Sequence, residues 1–386
     1  MKTMDEPNWS APETDVLENV REILDGDERG VLATVVGVEG SAYRRPGAKM
    51  VVPESGEGIG HITAGCLEDE VQQLAGDVLE TGEPRIETYD LRPDSGDDVW
   101  GLGVGCNGII DILLEPIDEP YRTVIEASDA GEDVGVVTVI DGDDAAVGSR
   151  AYYAPEEGGF SPEEGFPADL AGRLREVVAD LTDRGESETF ELDDLTVFVD
   201  GIAAPDDLVV VGTGPDVAPI TELGAKANFR VTVVGFRGGN AQPERFPHAA
   251  DVRSTSPAQI REAFEFDAET YVVVATHNFV DDRLAIDELL ATPVPYVGLL
   301  GPRERFEEML EEFDREGRTF SDAELDRLYT PVGLDVGGGS PYEIALSIVG
   351  EVLTVSNDRE PRHLEDREGP IHDRVELSPD GGQGQG

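Results

Sequence analysis

Lysine is almost missing from this chain. Among its 29 basic residues only Lys2, Lys49 and Lys226 are lysines, the rest being arginines, against 83 acidic residues and a formal net charge of −54. A protein without a basic footprint is not built to hold nucleic acid or an anionic membrane surface. Acid spread along every helical segment reads instead as the solvated surface of a halophilic protein. At about 1 M salt the Debye length is roughly 3 Å, and self-repulsion is screened. Two cysteines, Cys66 and Cys106, cannot build a disulfide framework. The five histidines are scattered and no CxxC occurs, which removes the usual zinc patterns. No run of 18 apolar residues is present, so no membrane-spanning helix is expected. The opening MKTMDEPNWS has no basic stretch leading into an apolar one, so no signal peptide is expected and the chain reads as soluble and cytoplasmic.

The periodic segments indicate an α/β protein. A helical pattern at Val16, Val20, Ile23 and Leu24 precedes the strand-like VLATVVGV, the turn EGSAYRRPGAKM and the short strand MVVP. A helix is predicted over CLEDEVQQLAGDVLETG, followed by RIETYDL, the glycine-rich GLGVGCNG and the strand IIDILLEP. This N-terminal part spans 1–118. A middle section, 119–205, holds the strand GVVTVI, a second short strand near Ala145, the helix AGRLREVVADLTDRG and the strands ETFEL and LTVFVDGI. From Leu208 the pattern changes. LVVVGTG, FRVTVVGF, TYVVVAT and PYVGLLG are short apolar runs separated by helical stretches, which predicts a Rossmann-like, doubly wound parallel sheet over 206–356, closed by the helix PYEIALSIVGEVL. Residues 357–386 are polar and end DGGQGQG, a composition that does not pack. No internal repeat is visible.

Four segments carry chemistry. In VVVGTGPDVA, Gly212 and Gly214 follow a strand and open a helix, where backbone amides and the helix dipole favour a phosphate. Val217 replaces the third glycine of the dinucleotide fingerprint. Gly235 stands where an acid would hold a ribose, with Arg237 two residues on. In SAYRRPGAKM, Arg44, Arg45 and Lys49 make a positive island in an acidic chain, either paired with local carboxylates or offered to an anionic ligand. In AGCLEDEV, Cys66 follows Gly65 at a predicted helix start, a position that reads as displayed rather than buried; Glu68 suits the first helical turn as a favourable charge. Cys106, in a glycine turn, is compatible with either burial or display. In ATHNFVDDR, His277 falls at the carboxyl end of a parallel strand, the ligand edge of open α/β sheets, with Asp281 or Asp282 expected as a helix N-cap.

These segments, taken in order, resemble the XdhC/CoxI maturation factors of molybdenum hydroxylases. The likeness runs through VLATVVGVEGSAYRRPGAKMVV, GHITAGCLEDEV and GLGVGCNGIIDILLEP. It resumes in VVVGTGPDVAPI, ERFPHAADV, ATHNFVDDRLAIDELL, PYVGLLGPRERFEEML and PVGLDVGGGSPYEIALSIVGEVL. Pro215 and Gly235 depart from the commoner pattern and place the chain nearer the CoxI-like branch. The resemblance implies an N-terminal α/β XdhC/CoxI domain followed by a Rossmann-like domain. It implies a chaperone more than a catalyst: a protein that binds a molybdopterin-type cofactor, protects it during sulfuration by a cysteine desulfurase, and delivers it to an apo xanthine or carbon monoxide dehydrogenase. A homodimer is part of that implication. On this reading Cys66 and Cys106 neighbour or ligate the molybdenum. Arg44, Arg45, Lys49, Gly65, Glu68, Gly212, Gly214 and His277 complete the cofactor site. The alternative is an NAD(P)-linked oxidoreductase using the second domain, and a third reading is a redox sensor built on the two thiols.

Overall fold

The computed structural model describes residues 10–92, 107–142 and 147–366, and the chain divides into two compact units between Ala204 and Pro205. Cys106, most of the glycine-rich segment before it, and the short strand expected near Ala145 lie outside the described residues.

The first unit begins with α1 (Glu13–Asp25), β1 (Gly30–Ser41), β2 (Lys49–Pro53), β3 (Ile59–Gly60), α2 (Glu68–Thr81), β4 (Arg85–Asp90) and β5 (Asn107–Pro116). It continues with α3 (Arg122–Ala130), β6 (Val134–Gly142), β7 (Arg150–Ala154), β8 (Gly159–Pro162), α4 (Leu170–Arg184), β9 (Ser187–Leu192) and β10 (Leu195–Ile202). The order is the same twice: helix, three strands, helix, two strands. Each set makes its own five-stranded antiparallel sheet, ordered β3-β2-β1-β5-β4 and β8-β7-β6-β10-β9. The expectation of no internal repeat is therefore corrected. The middle section is no separate body but the second half of a duplicated unit.

The match extends to single residues. Thr34 pairs with Lys49 across β1 and β2, as Thr138 pairs with Arg150 across β6 and β7. The register slips at Val36 in one half and at Ile140 in the other. Alternation then assigns the layers. Val31, Ala33 and Val35 face α2, while Val137 and Val139 face α4. The opposite faces meet each other through Leu32, Val51, Val136 and Tyr152, with Val36, Leu113, Ile140 and Phe198. The unit is a helix–sheet–sheet–helix sandwich, with α1 and α3 packed side by side at one margin of the sheets.

Two buried ion pairs bridge the sheets reciprocally. Lys49 of β2 lies 2.7 Å from Asp200 of β10, and Arg150 of β7 lies 2.9 Å from Glu115 of β5. Glu115 faces Leu32 and Asp200 faces Val136, the corresponding positions of the two halves. Both cations follow a left-handed glycine, Gly47 at φ +92° and Gly148 at φ +87°. A side chain at Gly47 would collide with Ser187, and one at Gly148 with Pro84, again at matching places. Tight turns of this kind require glycine.

The second unit contains β11 (Asp207–Val211), α5 (Val217–Lys226), β12 (Arg230–Gly235), β13 (Asp251–Ser254), α6 (Ile260–Ala263) and β14 (Thr270–Val274). It ends with α7 (Phe279–Leu290), β15 (Tyr296–Leu299), α8 (Arg303–Arg315), α9 (Asp322–Leu325), β16 (Leu328–Tyr329) and α10 (Pro341–Ser356). All strand pairs are parallel, in the order β13-β12-β11-β14-β15-β16. This is the doubly wound Rossmann arrangement, whose strand order reverses between β11 and β14. Leu208 and Val210 of β11 face α5 and α10, and Val209 and Val211 face the core built with α7 and α8. Instead of one helix between β12 and β14, the chain first adds β13 as an edge strand and then a single turn, α6. The sequence Asp251-Val252-Arg253-Ser254 is charged, as an edge strand is.

Candidate functional site

The expected site residues divide between the two units. In the first, the segment after β3 is closed by hydrogen bonds to one carboxylate. Glu68, wholly buried, accepts from the Thr63 amide (2.8 Å), the Thr63 hydroxyl (2.6 Å) and the Leu67 amide (3.1 Å). Thr63 Oγ1 in turn accepts from the amides of Cys66 (3.0 Å) and Leu67 (3.3 Å). The acid expected to act as a surface charge at the helix start instead fastens the turn. A carboxylate can be buried when donors surround it in this way. The turn leaves Ala64 and Gly65 exposed, with Gly65 at φ +94°. Cys66 is not displayed as expected: it is half-buried and packs against the core under α2.

The basic turn is close by. Tyr43, 64% exposed, stacks at an angle on His61 with ring centroids 6.1 Å apart, and Ala42 packs on the same core as Cys66. Arg45 is exposed, and Arg44 lies 3.2 Å from Glu13. Lys49 departs from expectation. Its ammonium is turned inward, donating to the Gly47 carbonyl at 2.9 Å and paired with Asp200, so its charge serves the sandwich rather than a ligand. The strand after Cys106 begins at Asn107, whose register partner is Ser41, beside this same turn. Sequence reasoning missed Tyr43, His61 and Thr63. The available signal was that all three lie inside the longer stretches VLATVVGVEGSAYRRPGAKMVV and GHITAGCLEDEV.

In the second unit, Gly212, Gly214 and His277 do converge at the point where the strand order reverses. Gly212 permits the close approach of the β11 and β14 ends, since a side chain there would overlap the Ala275 carbonyl. His277 has a left-handed backbone, φ +58°, uncommon for a residue with a Cβ. Its Nε2 lies 2.8 Å from Asp216 Oδ2. Asp216, which sequence reasoning did not single out, stands at the N-cap of α5 but makes no capping hydrogen bond. Its Oδ1 occupies the space that a side chain on Gly214 would take. A phosphate set against Gly214 would therefore meet a carboxylate. At Gly235 a Cβ would lie 2.9 Å from both Ala241 Cβ and Thr213 Cγ2, so the place of a ribose-binding acid is filled. Arg245 pins the segment after β12 to the glycine loop by donating to the Thr213 carbonyl at 3.0 Å.

The helix cap after His277 also differs from expectation. Asn278, not Asp281 or Asp282, accepts from the Val280 and Asp281 amides, each at 3.1 Å. Asp281 lies 2.7 Å from Arg237. Asp282 is fully buried, bound by Thr276 and Arg305. Burial is the main influence on its carboxyl and pushes its pKa up, with Thr276 and Arg305 opposing. No described group of three or more His, Cys, Asp or Glu side chains is arranged to hold a metal ion. No described helix is long and apolar enough to cross a membrane.

Comparison with known proteins bears on both units. Residues 13–90 match the model of the XdhC and CoxI family, and residues 208–352 match that of the XdhC Rossmann domain. A Bacillus subtilis (strain 168) protein, named as a probable subunit of xanthine dehydrogenase, is 32% identical over 336 residues, covering 86% of this chain and 94% of that protein. The Escherichia coli K12 protein named molybdenum cofactor insertion chaperone PaoD is 28% identical over 139 residues, which is 33% of this chain and 42% of its own. A crystal structure described as a xanthine dehydrogenase from Bacillus halodurans superposes with a TM-score of 0.69 at 29% identity, over 90% of this chain and 96% of that one. The two matched domains, in this order and over this length, show that the chain belongs to the XdhC and CoxI family.

Proposed function

We propose that this protein is a maturation factor for molybdenum hydroxylases, one that binds the molybdopterin-type cofactor, protects it while a sulfur ligand is installed, and passes it to an apoenzyme of the xanthine or carbon monoxide dehydrogenase type. The names carried by its relatives, one for a component of xanthine dehydrogenase and one for a molybdenum cofactor insertion chaperone, support this reading. The observation that carries it is the Thr63–Glu68 ring. A buried carboxylate is used to fix a short turn whose one soft atom is the Cys66 sulfur.

The residues fit such a group. Cys66 is a soft donor of the kind that holds metal or sulfide, and Arg44 and Arg45 carry planar guanidinium forks of the kind that match phosphate. When bound, the cofactor supplies a molybdenum centre that accepts a sulfur ligand. The chain's own part is to hold the thiol at a fixed depth, shield one side with the core beneath α2, and keep the exposed Ala64-Gly65 edge open to a partner. A cysteine desulfurase and the apoenzyme are the partners this reading requires, and a homodimer is compatible with it.

Co-expression with a client apoenzyme tests the proposal. The wild-type chain is expected to raise the fraction of sulfurated, active client, and Cys66→Ser is expected to lose at least tenfold of that effect while folding normally. Full activation by Cys66→Ser would remove the thiol from the mechanism.

A further inference from the structure

We propose that the outer face of α10, with the loop that leads into it, is where a second copy of this chain docks. The inference stands apart from the maturation reading, with which a homodimer is only compatible.

The surface differs from the rest of the molecule in charge. Helices α1, α2, α3, α4 and α8 all turn exposed carboxylates to solvent, and α8 alone exposes Glu304, Glu307, Glu308, Glu311 and Asp314. Across its 16 residues α10 has only Glu343 and Glu351, and both are tied to the fold. Glu343 is folded back on the helix start, accepting from the amides of Gly339 (3.0 Å) and Ser340 (2.8 Å). Glu351 accepts from the Tyr296 hydroxyl (2.7 Å) and the Gly333 amide (2.8 Å). What α10 shows to solvent instead is Tyr342 and Leu346, one turn apart on one face, 54% and 60% exposed. Val336, in the loop before the helix, is 57% exposed. Clustered apolar exposure of this kind marks a contact surface.

The patch is held in place from behind. The Ser347 hydroxyl donates to the Leu334 carbonyl at 2.5 Å, and the Leu334 amide donates to the Ser347 carbonyl at 3.2 Å, so the loop is fastened along α10. Tyr342 donates to Glu222 of α5 at 2.6 Å, and Lys226 lies 2.9 Å from the same carboxylate. A surface already ordered loses little freedom on association, and a tyrosine with an apolar ring and an anchored hydroxyl suits an interface.

Charge also selects the occupant. The chain carries −54, so two copies repel wherever acid faces acid. A twofold contact sets one patch against itself, and any free acid within it would confront the acid of the other copy. A self-docking face on this chain must therefore exclude acid and complement itself, and an uncharged apolar helix face does both. A basic partner would be drawn to the acidic outer faces of α1 or α8, and its docking would not require an acid-free patch.

Light scattering on the full-length protein, across protein concentration and salt, tests the proposal. The wild type is expected to be dimeric at micromolar concentration in high salt. It is expected to dissociate as salt falls, because repulsion between the copies loses its screening. Leu346→Glu and Val336→Asp, each at an exposed position, are expected to weaken the dimer at least about a hundredfold, and Glu308→Ala on α8 is expected to leave it unchanged. A wild type that stays monomeric in high salt would overturn the proposal without reliance on any variant. So would a dimer that tightens as salt falls, or one that both variants leave intact. A monomeric wild type whose activation of a client is lost in Leu346→Glu would give the face to the client. A lower unfolding temperature of Leu346→Glu at unchanged mass would give it to another part of the same chain. Either result overturns a second copy as the occupant.

Discussion

The two halves of the first unit share one architecture and differ at one turn. Counted back from the left-handed glycine that ends each helix, Gly82 or Gly185, Thr63 falls with Phe166, Cys66 with Asp169 and Glu68 with Ala171. In the second half Phe166 drops into the core and closes the turn before α4 by apolar burial. In the first half that plug is gone. A buried acid and a threonine hydroxyl tie the turn by hydrogen bonds, and a thiol stands where the other half has an aspartate. Apolar burial is the ordinary way to close such a turn. The half that departs from it is the one that holds the thiol of the proposed function.

The comparison can be broken first at what the halves share. Asp200→Asn leaves Lys49 without its ion-pair partner and is expected to cost about 3–5 kcal/mol, measured as the shift of the urea unfolding midpoint, whereas Glu115→Gln is expected to cost less because Arg150 keeps Asp118 at 3.0 Å and Glu163 at 3.6 Å. The double change Lys49→Met with Asp200→Leu is expected to recover most of the loss, because removing both charges also removes their desolvation cost. Equal effects at the two pairs would show that these further carboxylates do not compensate at Arg150. Gly47→Ala and Gly148→Ala test the same symmetry at the turns. Each is expected to cost about 2–4 kcal/mol from left-handed strain and overlap.

Next come the differences. Glu68→Gln puts an amide donor among amide donors and is expected to cost about 1–3 kcal/mol, together with faster reaction of Cys66 with a thiol reagent. Unchanged thiol reactivity would mean that the ring does not govern the cysteine. The smallest change in stability is expected for Cys66→Ser, about 1 kcal/mol or less for a half-buried position, so its functional effect can be read without a folding correction.

Much of this was legible in the sequence. The central strands of the Rossmann sheet are apolar on both faces and announce themselves, as do α1, α2 and α4 through helical spacing. The duplication was not legible, because it survives as geometry. Lys49 and Arg150, or Glu115 and Asp200, correspond in charge and register rather than identity, and the sequence around them has diverged. The edge strands β13 and β16 carried too few apolar residues to register, and α3 buries only Val124 and Ile125.

At the candidate sites, residue type singled out segments without fixing the contacts that their residues make. Lys49 and Arg45 look alike in the sequence, and only the opposing sheet separates a buried ion-pair partner from an exposed cation. Gly214 matches a phosphate fingerprint, yet Asp216, two positions later, sets its Oδ1 where a side chain on Gly214 would lie. His277 was singled out because strand ends of open sheets are where ligands bind. Its strained backbone and its carboxylate partner needed the structure.

The central claim is that the turn closed by Glu68 holds a molybdenum cofactor through Cys66. It is tested most directly by the molybdenum and pterin content of wild type and Cys66→Ser, each purified anaerobically in high salt from a molybdenum-replete host. The account predicts near-stoichiometric molybdenum with a fluorescent pterin oxidation product in the wild type, and loss of most of both in the variant. Equal contents in the two proteins, or a folded wild type carrying neither, would contradict it.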